Sequence, residues 1–218
     1  GAQDGRDVYE AAFRKTDLFP LQRPRETASM MRLARSINPR VVGEIGADKG
    51  GGIYHWARCL PTVRRVMACE IRGTPYARAF DAAFPGIGFL WLDGASSYAP
   101  ESVARVREWL GCDRATRTDA SGWPAVGEDV GDSLFDVLFL DGDKDNFGTD
   151  FALYRPLVRP GGLIFVHDIV PAPQGETGPS AWFRRIEESR QYVTERIVDT
   201  SEGVEARSRE ERGEAVAD

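Results

Sequence analysis

Arg40-Val-Val-Gly-Glu-Ile-Gly-Ala-Asp-Lys-Gly-Gly-Gly52 decides how the rest of this chain is read, because an apolar run ends there in an acid and a glycine cluster. Val41, Val42 and Ile45 have the continuous apolar character of a buried strand, and the glycines after them let the backbone turn sharply and approach a ligand closely. Ile53 to Leu60 then reads as a helix whose N-terminus opens beneath the turn. Strand, glycine turn and helix in that order form a cradle of the nucleotide-binding type. The dinucleotide fingerprint needs glycines at spacings this loop lacks, since Gly46 is followed two residues on by Asp48. Glu44 and Asp48 would repel a pyrophosphate, and they suit a ligand with a positive centre and a free amino group.

Working outward, strands and helices alternate. Arg65 to Glu70 reads as a second buried strand, and an acid roughly 20 residues beyond a glycine turn is placed to accept hydrogen bonds from the two hydroxyls of a ribose. Tyr76 to Phe84 is the next helix, Ile87 to Leu92 the third strand, and Glu101 to Leu110 a helix with Val103, Val106, Trp109 and Leu110 on one face. Upstream, Glu26 to Ile37 reads as a helix packing Met30 and Met31 into the core, and Asn38-Pro39 stops it. This alternation predicts a single α/β domain with a Rossmann-like, doubly wound, mostly parallel sheet and helices on both faces.

The second decisive stretch is Phe135-Asp-Val-Leu-Phe-Leu-Asp-Gly-Asp-Lys-Asp-Asn146. Its apolar residues deliver Asp141 to the C-terminal end of a central strand, where open α/β sheets bind their ligands. Asp143 and Asp145 follow so closely that the three carboxylates would repel unless a cation sat among them, which suggests a hard divalent metal. A helix from Phe147 to Val158 ends before Pro160-Gly-Gly162, and the strand Leu163 to Asp168 brings His167 and Asp168 to the same edge of the sheet.

Composition bounds the function. At 218 residues and 42% hydrophobic content the chain fits one domain with a sizeable core. A formal charge of -6 argues against generic binding to nucleic acid or to an anionic membrane, so a small-molecule substrate is expected. Cys59, Cys69 and Cys112 are an odd number without metal-ligand spacing and read as reduced thiols of a cytoplasmic protein. No apolar run is long enough to span a membrane, and no signal sequence is recognisable at the N-terminus.

Glu44-x-Gly46-x-x-x-Gly50 resembles the first motif of class I S-adenosylmethionine-dependent methyltransferases, whose loop wraps the methionine end of the cofactor. Phe-Leu-Asp141-Gly-Asp-Lys144, then Tyr154-x-Pro-Leu-Val-Arg-Pro160-Gly-Gly, then His167-Asp168, is similar to the metal-dependent small-molecule O-methyltransferases of the catechol, caffeoyl-coenzyme A, macrolide-sugar and cephalosporin-pathway types. The resemblance runs from about Leu21 to about Glu188 and implies a seven-stranded sheet. It also implies that Glu44, Gly46, Gly50, Glu70, Asp141 and the adenine-edge pair Ala95 and Ser96 bind S-adenosylmethionine. Asp141, His167 and Asp168 would hold a divalent metal, and Lys144 would take the proton of the acceptor hydroxyl. His167 departs from the family pattern of an oxygen donor. An imidazole favours manganese, iron or zinc over magnesium, or serves instead as a base or a substrate contact.

The implied activity is metal-assisted methylation of a small hydroxylated molecule. The alternative is a nucleoside-binding domain of the same fold, without transferase activity, serving as an assembly or regulatory partner. Residues 1–200 form the expected domain, with 1–25 a helical lead-in covering the site or a partner subunit in a homodimer. The polar stretch 111–133 reads as a lid or a passive insertion. Val170 to Pro179 is expected to border the acceptor pocket, Trp182 and Phe183 begin the next helix, where either can stack on substrate or pack in the core, and Tyr192 to Val198 reads as a late strand. The charged residues 201–218 read as an edge strand or a disordered tail.

Overall fold

A computed structural model describes residues 22–112, 134–171, 175 and 177–197. Five strands, β1 (Val41–Ile45), β2 (Arg65–Glu70), β3 (Gly88–Asp93), β4 (Phe135–Leu140) and β5 (Val158–Val166), form one sheet in the order β3-β2-β1-β4-β5. Every pairing is parallel. A parallel sheet needs cover on both faces. It has α1 (Pro24–Ser36), α2 (Gly51–Cys59) and α3 (Ala77–Ala83) on one side and α4 (Pro100–Leu110), α5 (Phe147–Tyr154) and α6 (Gly178–Ser189) on the other.

Alternation along the central strands sorts side chains between two cores. Val42, Val66, Val137 and Phe139 pack with Met30, Met31, Ile53, Trp56 and Phe80. Val41, Ile45, Leu138 and Leu140 pack with Val106, Leu110, Phe147, Phe151 and Ile186. Met30 and Met31 are buried, so both methionines serve the core. Cys59 and Cys69 are buried, Cys112 is half-buried, and none is in a disulfide.

Helix starts follow local chemistry. Pro24 opens α1 at a position where its missing N–H costs nothing, and Glu26 reaches back to accept from the Arg23 N–H at 3.0 Å. Thr177 caps α6 by accepting from the Ser180 N–H.

Three expectations change. The helix from Phe147 stops at Tyr154, because Pro156 forces a 3-10 turn over Arg155–Leu157 and Val158 already belongs to β5. Tyr192 to Ile197 forms no strand, and among the described residues the sheet has five strands rather than seven. Val198, most of the lead-in 1–25, the insertion beyond Cys112 and the tail 201–218 lie outside the described residues. No helix among the described residues is long and apolar enough to cross a membrane.

Candidate active site

Strand order reverses between β1 and β4, and a parallel sheet opens a crevice at such a point. The two turns that the sequence singled out meet there. Gly46 has φ +86°, and a Cβ on it would overlap the carbonyl oxygen of Asp141. The Asp141 N–H in turn donates to the carbonyl of Ile45 at 2.9 Å. Only glycine allows this contact.

The glycine turn is tied to β2. Gly46 and Ala47 donate their N–H groups to the carbonyl of Cys69 at 2.9 and 3.2 Å. Asp48 and Gly50 have left-handed backbones, and a Cβ on Gly50 would stand 2.8 Å from the Phe80 ring. The buried Glu70 carboxylate receives the Asp48 N–H at 2.9 Å and the Arg72 N–H at 3.0 Å, bracing the turns after β1 and β2 together. A carboxylate has about four acceptor positions, so two remain for a ligand.

Ala95 and Ser96 follow β3 on the same edge. The Ala95 carbonyl accepts from Cys69 Sγ at 3.5 Å, and the buried Ser96 hydroxyl has no hydrogen-bond partner among the described residues.

Glu44 behaves differently from its expected role as a ligand contact. Its side chain points toward α2, is 2% exposed, and accepts from the Trp56 indole N–H. A Cβ on Gly52 would overlap its carboxyl oxygens, so Glu44 lies beneath the start of α2 and meets a ligand only through the turn above it. Burial pushes its pKa up to about 8, against the lowering effect of the Trp56 bond.

The C-terminal edge of β4 and β5 carries a cluster of charges. Asp141 Oδ1 lies 2.6 Å from Lys144 Nζ and 3.1 Å from His167 Nδ1, and its Oδ2 accepts from Gln22 Nε2 at 2.7 Å. Asp168 completes the bridge, 2.9 Å from Lys144 Nζ and 3.3 Å from His167 Nδ1. Glu26, from α1, stands 3.8 Å from His167 Nε2.

These contacts decide the protonation states. Burial would lower His167, yet its bonds to Asp141, Asp168 and Glu26 raise it to about 11. Burial likewise opposes the charge of Lys144, and Asp141 and Asp168 outweigh it, raising its pKa. His167, then Lys144, hold Asp168 well below the usual carboxylate range despite its partial burial. Burial alone would raise Glu26, and His167 together with the Arg23 N–H reverses the sign. Both cations are therefore protonated at neutral pH.

Asp143 and Asp145 do not join Asp141. Asp143 turns to the Asn146 amide at 2.7 Å and to the Asp145 N–H at 3.0 Å. The acids around Asp141 come instead from the end of β5 and from α1. Gln22 and Glu26 were not legible as site residues, because only the packing of α1 against the sheet carries them there. The ligand atoms of Asp141, His167 and Asp168 lie within 4.8 Å of one another, and this donor set fits a divalent ion. Two oxygens and one imidazole suit manganese, iron or zinc better than magnesium.

Beside the cluster opens a cleft of about 370 Å³, walled by Glu26, Met30, His167, Asp168, Phe183 and Ile197. Phe183 faces this cleft, whereas Trp182 packs over Gly148 and against Phe151 at 6.2 Å between ring centroids. Phe183 is buried while it lines the cleft, and Trp182 is half-buried against α5.

Strand order and the glycine turn give the chain a Rossmann-like α/β architecture. Among solved structures, an O-methyltransferase from Bacillus cereus in complex with SAH matches 87% of this chain and 79% of its own, at 18% identity and a TM-score of 0.53. TomG from Streptomyces achromogenes, an O-methyltransferase involved in tomaymycin synthesis and solved with SAM, matches over 87% of this chain and 78% of its own, at 20% identity and a TM-score of 0.53. Likeness at these identities is one of fold, and it is the fold that the motifs implied. No protein-family model and no curated protein matches the chain.

Proposed function

We propose that this chain transfers the methyl group of S-adenosylmethionine to a hydroxyl of a small molecule. The observation that carries the reading is the contact of Gly46 with the Asp141 carbonyl, which makes the nucleoside cradle and the charged cluster two halves of one crevice. Gly46 and Gly50 shape the cradle, Glu70 has acceptor positions for ribose hydroxyls, and Ala95 and Ser96 border the base. Glu44 supports the turn from below, and Asp141 bounds the cradle on its far side. Bound S-adenosylmethionine supplies an electrophilic methyl on a sulfonium, and the residues around it contribute mainly alignment.

In the same reading Asp141, His167 and Asp168 hold a divalent ion. Such an ion would lower the pKa of an acceptor hydroxyl and draw the charge of both carboxylates away from Lys144. Lys144 Nζ, which bridges Asp141 and Asp168, would be the amine placed to accept the hydroxyl proton with such an ion bound. His167 stays beside Glu26 and faces the cleft, where it orients the acceptor.

We further propose that the domain extends over residues 1–200 of a cytoplasmic protein that binds no nucleic acid or membrane, with its lead-in against the site or a homodimer partner. A groove of about 620 Å³ runs along β5, lined by Leu163 to Val166 and by Tyr192 to Glu195.

Calorimetry with S-adenosylhomocysteine, with and without manganese or magnesium, followed by turnover on a catechol and sugar panel, tests the reading. Tight binding and metal-stimulated methylation are expected. Binding without turnover on any acceptor would favour a non-catalytic nucleoside-binding domain, and absence of binding would sink both.

A further inference from the structure

Asp150 is a buried acid that the proposed reaction does not use. It lies on α5, 2% exposed, among Phe147, Phe151 and Tyr154. A carboxyl in such surroundings is costly unless its hydrogen bonds are specific. Its Oδ1 accepts from the Ser97 hydroxyl at 2.6 Å, across 53 residues of chain. One helical turn on, the Tyr154 hydroxyl donates to the Ser97 carbonyl at 2.7 Å. α5 therefore grips both the hydroxyl and the carbonyl of Ser97.

The neighbours of Ser97 show what the grip achieves. Cys69 Sγ holds the carbonyl of Ala95, and Asp150 with Tyr154 holds Ser97, so the backbone on either side of Ser96 is fixed from inside the protein. Ser96 is left with a buried hydroxyl that has no partner among the described residues. The second oxygen of Asp150 faces Gly142, where a Cβ would stand 3.3 Å from it and 2.9 Å from the Ile45 side chain. Asp150 thus bonds to the turn after β3 and fills the space a side chain on Gly142 would need in the turn after β4.

We infer that Asp150 is a positioning residue that holds the Ala95–Ser96 turn in the geometry that reads the purine of the nucleoside and keeps it in register with the turn bearing Asp141. This rests on the reading of the crevice as an S-adenosylmethionine site. Ser97 and Tyr154 are the levers through which Asp150 acts.

The test compares two ligands, S-adenosylhomocysteine and S-inosylhomocysteine, which differ at the six-position of the purine and, with it, in protonation at N1. Calorimetry on wild type, Asp150→Ala, Asp150→Asn, Ser97→Ala and Tyr154→Phe yields the affinity ratio for each. Wild type should prefer the adenine compound, and Asp150→Ala and Ser97→Ala should each reduce that preference by about tenfold. Asp150→Asn, which keeps an acceptor for Ser97, should retain most of it. A merely structural role would weaken both ligands equally and leave the ratio unchanged, which would overturn the inference. Should Asp150→Ala fail to fold, Ser97→Ala decides by the same ratio. Wild type binding neither compound would overturn the cofactor reading and this inference with it. A wild-type preference that survives in the variants overturns this inference alone.

Discussion

Gly46 lies so close to the carbonyl of Asp141 that one added methyl group would overlap it, and its φ of +86° disfavours any side chain independently of space. Gly46→Ala therefore forces apart the turns after β1 and β4. Left-handed strain and the clash together should cost about 2 to 4 kcal/mol. Urea denaturation should register this loss, and S-adenosylhomocysteine affinity should fall with it. A variant of unchanged stability and affinity would mean that the two turns are not coupled.

His55 and His167 are the only histidines of the chain, so both can be followed by NMR titration. Burial holds His55 below the ordinary imidazole value, against its bond to the Gly51 carbonyl, while three carboxylates lift His167 to about 11. Neither signal should show a midpoint near 6.5. Asp141→Asn removes one negative partner of His167 and should bring its midpoint down, leaving His55 where it was. Zinc added to wild type at pH 7 should displace the His167 proton if that imidazole is a ligand. An unmoved signal would take His167 out of the metal site.

Two buried carboxyls give stability an acid-side optimum. Glu44 is raised by burial from 4.5 to about 8, and Asp150 by burial from 3.8 to about 6. A raised carboxyl contributes stability that is full below its unfolded value and lost as pH climbs through its folded value. For Glu44 that window runs from about 4.5 to about 8, and for Asp150 from about 3.8 to about 6. Glu44→Gln keeps a carbonyl acceptor for Trp56 and has nothing to ionise. It should flatten the decline between pH 5 and 8 and exceed wild type at pH 8 by on the order of 2 to 4 kcal/mol. Parallel pH profiles for the two proteins would show that Glu44 does not titrate in this range.

Much of the sheet was legible because period and punctuation agree in its strands. Arg65–Glu70 is the strand that was expected, and Val41–Ile45 and Phe135–Leu140 end where the glycines and acids begin. The helix after Asn146 was read too long because apolar spacing continues through Leu157, and only Pro156 signals the 3-10 turn. Glu44 was readable as an acid in a motif, but its direction depends on strand parity, which aims it at Trp56. Gln22, Glu26 and Asp150 were beyond reach for another reason. Their partners are 119, 141 and 53 residues away in the chain, and no local pattern encodes such meetings.

Trp182 and Phe183 are adjacent, yet the structure gives them opposite surroundings, and this separates two kinds of mutational effect. Trp182 covers Gly148, where even a Cβ would collide with the indole, and so locks α6 onto α5. Trp182→Ala should leave a void between the helices and destabilise the protein by about 2 to 4 kcal/mol, with little change in acceptor affinity in the fraction that stays folded. Phe183 instead walls the cleft beside His167 and Asp168. Phe183→Ala removes apolar surface that an acceptor ring would meet, so the acceptor KM should rise about tenfold while S-adenosylhomocysteine binding holds. Some stability is lost with it, because Phe183 is 8% exposed, and denaturation reports that loss separately from KM. If Trp182→Ala raised the acceptor KM and Phe183→Ala left it unchanged, the acceptor would enter between α5 and α6 and not through the cleft bounded by α1 and β5.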